Sequence, residues 1–263
     1  MTTMISALRA ECARLLRRRM FGLIVLVAAA IAILGTLLVR FGATLPGGND
    51  PATIRLQSTP RGIVVGLFGP ITVILAGLSS GLTASLLSSD FSGRTFRTQL
   101  IAHPRRSSLL LGKLCAIAAY LLTGAAVAVL AASLTAIASA NPAASAHGWY
   151  TAQAFADAIV TVITLWLAMI SYASVGFVAA MLIRSPGPAT LIGVVYVTGL
   201  DGYLTAGLQH LSQGAKSWLP QPSIVNVAEG HAGHLGQTLA VVVIFAAVLL
   251  SAGFTSFIRR DVV

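Results

Sequence analysis

The stretch Ser89-Asp90-Phe91-Ser92-Gly93-Arg94-Thr95-Phe96-Arg97-Thr98-Gln99-Leu100-Ile101-Ala102-His103-Pro104-Arg105-Arg106-Ser107-Ser108, with Gly112-Lys113 just beyond, is a polar island with a long uncharged run on each side. Such an island must stand in water between two membrane spans. It carries Arg94, Arg97, Arg105 and Arg106. Its reading decides the topology and points to a contact on the inner side.

Working outward, the chain is 56% apolar and only 9% charged over its 263 residues. A soluble domain carries roughly 25% charge. A helix needs about 20 apolar residues to cross the hydrocarbon core. Six stretches meet that need: 20–39, 63–88, 109–140, 152–183, 188–208 and 236–258. Barrel strands would instead alternate over about 10 residues. The expectation is therefore an all-α membrane protein of six spans. It forms a single domain over 1–263, because the connections are too short to hold another.

Basic residues orient it. With the N-terminus inside, only Arg40, Arg55, Arg61 and Lys216 of the 17 Lys and Arg residues fall outside. Short cytoplasmic loops are enriched in Lys and Arg, so both termini are expected in the cytoplasm. The net charge of +10 follows from that bias and from attraction to anionic lipid. It needs no nucleic-acid partner. Arg18-Arg19-Met20-Phe21 is similar to a twin-arginine export signal. The apolar run behind it is too long for one and ends without a cleavage site. Cys12 and Cys115 form neither a disulfide framework nor a metal site. The preference for arginine over lysine suggests a GC-rich bacterial genome.

Residues 1–19 contain an amphipathic stripe, Ile5, Leu8, Cys12, Leu15 and Leu16, set against Arg9, Glu11, Arg14, Arg17 and Arg18. This suits a helix lying in the inner interface. Span 2 contains Gly62-x-x-x-Gly66 and Gly77-x-x-x-Gly81, then Ser85. Small residues four apart let helices approach closely in lipid. Each motif alone suits ordinary packing within the chain, and two in one span point to close contact with another helix.

In the inner loop 89–108, Ser89 or Asp90 can cap a helix start. Phe91, Thr95, Phe96 and Leu100 then form its apolar side, and Pro104 stops it. Two readings stay open: a peg that docks on a partner, or arginines that bind lipid phosphates. Ser185-Pro186-Gly187-Pro188 is a tight inner turn, with Pro suited to the first position of the helix that opens span 5. The outer region 208–235, with Trp218, Pro220, Pro222 and Glu229, is long enough to dip back as two short helices.

Catalytic chemistry is missing. Gly112-Lys113 lacks both the upstream glycine and the following Ser or Thr of a phosphate-binding loop. His231-x-x-His234 has no accompanying ligands and reads as solvent-exposed loop. No nucleophile elbow or zinc-protease motif occurs. The chain is expected to be no enzyme and to hold no cofactor or metal. The one acidic residue deep in an apolar run is Asp201, about 20 Å along span 5 from Pro188. It is part of a transport path, or a structural ion-pair member with Arg40 or Arg61 as partner, or it lies beyond a span that already ends near Leu200.

The layout resembles the membrane subunit of type-2 ABC exporters. Four places carry the resemblance. They are Leu8-Arg-Ala-Glu11 with Leu15-Leu16-Arg-Arg-Arg19, then Asp90, Gly93, Arg94, Thr95, Leu100, Pro104-Arg105-Arg106 and Gly112-Lys113, then Trp218-Leu-Pro220, and last Phe257 with Arg260-Asp261. Asp90 stands where the family has Glu, and Arg94 is inserted between Gly93 and Thr95. The resemblance implies a connecting helix at 1–19, a cytoplasmic coupling helix at 89–108 and an outer re-entrant region at 208–235. It implies a permease dimer, with an identical or homologous second subunit. Two ABC ATPase chains, carrying ATP and Mg, would bind below. Asp90, Phe91, Gly93, Arg94, Phe96, Arg97 and Leu100 would make the ATPase-docking surface. Gly77, Gly81, Ser85, Tyr196, Asp201 and Tyr203 would line the path. The cargo would be an amphipathic drug, peptide or lipid-like compound, exported across a bacterial plasma membrane. The rival expectation is a self-sufficient secondary transporter or channel that uses Asp201.

Overall fold

The computed structural model describes residues 19–42, 70–92, 106–139, 151–183, 185–204, 207 and 235–259. Among these every regular element is helical. The helices are α1 (Arg19–Gly42), α2 (Pro70–Ser92), α3 (Arg106–Ser139), α4 (Ala152–Ile183), α5 (Pro186–Val195) and α6 (Leu235–Arg259). A π turn, Tyr196–Leu200, extends α5, and helix resumes over 201–204.

Four helices are long and apolar enough to cross a membrane: Thr72–Phe91, Ser107–Ala138, Ala152–Ile183 and Leu239–Phe257. The apolar part of α1, Val25–Leu38, is shorter. α5 is interrupted by the π turn. The 34 residues of α3 extend about 51 Å at 1.5 Å per residue. That exceeds the hydrocarbon thickness of about 30 Å, so α3 must tilt or project.

Side chains are sorted in the manner of a lipid-embedded bundle. The interior is built from small residues: Ala32, Ala84, Ala125, Ala128, Ala132, Ala168, Ala180 and Ala189 are fully buried. Large aliphatics such as Leu26, Leu34, Leu130, Leu134, Leu191 and Val248 face outward. Lipid tails are as apolar as leucine, so nothing drives leucine inward, and small residues bring backbones together. In water the same surface would be a gross aggregation liability.

α4 is the hub, packing against α2, α3, α5 and α6, while α1 lies on α3. Its N-terminus is capped by Thr151, whose Oγ1 accepts from the Ala154 N–H at 3.1 Å. Cross-helix hydrogen bonds pin it to α3 and α2. Trp166 Nε1–H donates to the Ala118 carbonyl on α3 at 2.8 Å. Ser79 Oγ on α2 donates to the Met169 carbonyl at 3.0 Å. At Gly253 of α6, any Cβ would collide with the Phe177 ring of α4, and Phe177 is fully buried.

α4 matches the expected fourth span, 152–183. The second span differs. α2 runs to Ser92, so Ser89, Asp90 and Phe91 belong to the end of a membrane helix. Asp90 therefore does not cap a following helix, as its position in the sequence suggested. Its carboxylate is matched by Lys113 instead, which removes the penalty that would otherwise end the span earlier. α5 likewise starts at Pro186, not Pro188, behind Ser185 in extended conformation. The expected interfacial helix at 1–19, apart from Arg19, and the outer region 208–235, apart from the start of α6 at Leu235, lie outside the described residues.

Candidate functional site

Two places concentrate polar chemistry. The first lies where α2 ends and α3 begins. Lys113 Nζ meets Asp90 Oδ2 at 2.6 Å, with side chains only 4% and 8% exposed. Charges so enclosed exist only in pairs, because each alone would lose its hydration without compensation. Beside them Phe91 meets Phe257 of α6 edge-on, with ring centroids 6.1 Å apart, a favoured aromatic geometry. Phe91 packs against the same buried apolar cluster that holds Leu87, Leu109 and Leu110. The two ends of the polar island are thus joined to each other and to the last helix.

Of the residues expected to dock a partner, Asp90 and Phe91 occupy this joint and face inward. Gly93, Arg94, Phe96, Arg97 and Leu100 lie outside the described residues. Lys113 was singled out only as a failed phosphate-loop tail and as part of a motif. Its pairing with Asp90 links positions at the ends of successive spans, and no local spacing rule could have supplied it.

The second place is the seam of α2, α4 and α5. Ser80 is the pinch point. A Cβ at Gly176 of α4 would strike the Ser80 carbonyl, and one at Gly193 of α5 would fall 2.7 Å from Ser80 Oγ. Gly81 would meet Val194 at 3.0 Å and Thr190 at 3.3 Å, and Gly77 would meet Thr198 at 3.7 Å. Gly77 and Gly81, expected along a path, are therefore buried packing surfaces between α2 and α5. Gly176 completes the seam and was not singled out beforehand. Ser80 Oγ is buried with no hydrogen-bond partner among the described residues.

Toward the Pro186 end of the seam, Ser85 borders an open groove of about 490 Å³ with Pro186, Gly187, Thr190, Leu191, Val194 and Val195. Toward the opposite end, Asp201 is 1% exposed and accepts a hydrogen bond from the Tyr172 hydroxyl at 2.5 Å. Tyr196 is half-buried beside it, against Ala76, Tyr172 and Val197. Tyr203 is 82% exposed and stands apart. The expected path residues thus divide into a packed seam, a groove edge, a buried polar pair and a surface tyrosine. Arg40 and Arg61, suggested as partners of Asp201, have side chains outside those described.

Among the described residues no group of three or more His, Cys, Asp or Glu comes together to hold a metal. His231 and His234 lie outside them. No protein-family model matches the chain, and no curated protein matches it.

Proposed function

We propose that the chain is the membrane-spanning permease subunit of an ATP-driven exporter of the type-2 ABC class. It has six spans with both termini in the cytoplasm, and it works as a dimer with two separate ATPase chains. The observation that carries this reading is the joint of Asp90, Lys113, Phe91 and Phe257. The segment 93–105 joins two helices that are clasped to each other by a buried ion pair and to the last helix by an aromatic contact, an arrangement suited to receive a push. That push reaches α2, α3 and α6 together. The apolar residues Phe96 and Leu100 would seat in the ATPase, and Arg94 and Arg97 would meet acidic groups at its edge. The groove beside Ser85 gives an amphipathic cargo an apolar surface opening within the inner half of the bilayer.

The test is recovery of an ATP-hydrolysing partner by the full-length chain from its own membranes, against the variant Phe96→Asp/Leu100→Asp. The reading expects nucleotide hydrolysis with the parent chain and its loss with the variant. Equal hydrolysis from both refutes docking through this loop.

A second reading has one observation in its favour, the burial of the Asp201 carboxylate within a membrane helix. A secondary transporter or channel would use it as its ion site. Its neighbours at the α4–α5 contact are tyrosines, which suits a structural latch better than an ion passage. Solute movement by the purified chain in vesicles without nucleotide would establish this alternative.

A further inference from the structure

The buried stripe of span 5 runs Ala189, Gly193, Val197, Asp201, each of them buried. The spacing is four throughout. In a regular α-helix each residue turns about 100°, so a step of four overshoots by about 40° and such a stripe drifts off its face. Here the drift is taken back by the π turn at Tyr196–Leu200, closed by the Asp201 N–H on the Tyr196 carbonyl. A π turn holds one extra residue. Thr198 Oγ1 donates to the Val194 carbonyl at 2.9 Å inside the same segment. The wider turn swings Asp201 back onto the packed face, where Tyr172 holds it.

Without the extra residue the face is occupied differently. Counted from Gly193 in an unbroken α-helix, Leu200 and Leu204 fall within about 20° of the stripe and Asp201 about 80° off it. Leu200 and Leu204 are now 49% and 41% exposed. The segment therefore has two registers with different inward side chains. One hides a carboxylate against a tyrosine. The other packs two leucines. Lipid accepts leucine without penalty but not a carboxylate, so the polar contact selects the bulged register.

We propose that span 5 is a two-register device in which the Tyr172–Asp201 hydrogen bond pins the π turn. Release of that bond straightens the helix, rotates the residues beyond it, and exchanges Asp201 for Leu200 and Leu204 on the packed face. The inner half of the span, from Pro186 to Val195, stays seated on α2 through Gly193 and Thr190. The device stands whether or not the chain is an exporter. In an exporter it would let the outer part of span 5 turn against the inner part.

The experiment uses the full-length chain in lipid nanodiscs, with Cys12 and Cys115 replaced by serine and one spin label placed at Leu191→Cys, Leu200→Cys or Leu204→Cys. Oxygen accessibility reports exposure to lipid. All three labels should be accessible in the parent. Asp201→Leu should lower accessibility several-fold at 200 and 204 and leave 191 unchanged. Tyr172→Phe, which keeps the ring and removes only the donor, should shift 200 and 204 in the same direction. Asp201→Asn retains an acceptor of the same shape and should hold the parent pattern. The proposal is overturned if 200 and 204 stay accessible in Tyr172→Phe and Asp201→Leu alike, or if 191 changes with them. If Asp201→Leu does not fold, Tyr172→Phe alone decides between these outcomes.

Discussion

Asp90 and Lys113 are the residues whose energetics are most sharply drawn. Each is buried against the other at 2.6 Å, so removing one takes away the opposite charge held closest to the other. Asp90→Asn or Lys113→Met should each lower stability by about 3–5 kcal/mol, whereas Asp90→Leu/Lys113→Met together should be close to neutral. Thermal unfolding of the three variants in nanodiscs checks this. A double variant as damaged as either single would mean that the pair is not the source of the effect. Ser80 predicts the opposite sign. Its hydroxyl is buried without a partner among the described residues, so Ser80→Ala removes an uncompensated group, worth about 1–3 kcal/mol when left unsatisfied. The variant should melt at the parent temperature or above it. A marked loss of stability would mean that the hydroxyl has a partner after all.

At the scale of elements, the seam depends on absent side chains. Gly176→Ala drives a methyl into the Ser80 carbonyl, a backbone atom that cannot step aside. Overpacking of this kind costs about 1–3 kcal/mol and forces α2 from α4. Gly187→Ala meets nothing within 4 Å and should be silent. Folded yield after detergent extraction separates the two, and equal yields would contradict the close approach. Trp166→Phe removes the donor to the Ala118 carbonyl while keeping an apolar ring. A loss of about 0.6–1.7 kcal/mol is expected from cross-helix hydrogen bonds in membranes, again read by unfolding.

Elements also divide what the residues disclose from what they conceal. The run 152–183 is bounded by polar sequence on both sides, and α4 has those limits. The end of α2 was misplaced because Asp90 looks like a terminator until its partner, 23 residues away, is known. Faces were harder still. A helix apolar all round carries no stripe, so sequence does not tell Leu130, exposed, from Leu121, buried. The glycines announced close packing on α2, but the opposing Gly176 and Gly193 are set by three-dimensional contact. The π turn is decided by where Asp201 finds Tyr172, a choice that no period in the chain records.

For the whole molecule, the small-residue interior and aliphatic exterior describe a bundle that completes itself in lipid. Under the proposed function its power comes from another chain. That division of labour is a claim about composition of the working assembly. It is tested most directly by native mass spectrometry of the full-length chain extracted from its own membrane. The account predicts a particle containing two membrane subunits and two nucleotide-hydrolysing chains. It also predicts that this particle loses the soluble pair when Phe96→Asp/Leu100→Asp is introduced. A particle of the 27.1 kDa chain alone, in any copy number, that moved solute uphill without nucleotide would contradict it.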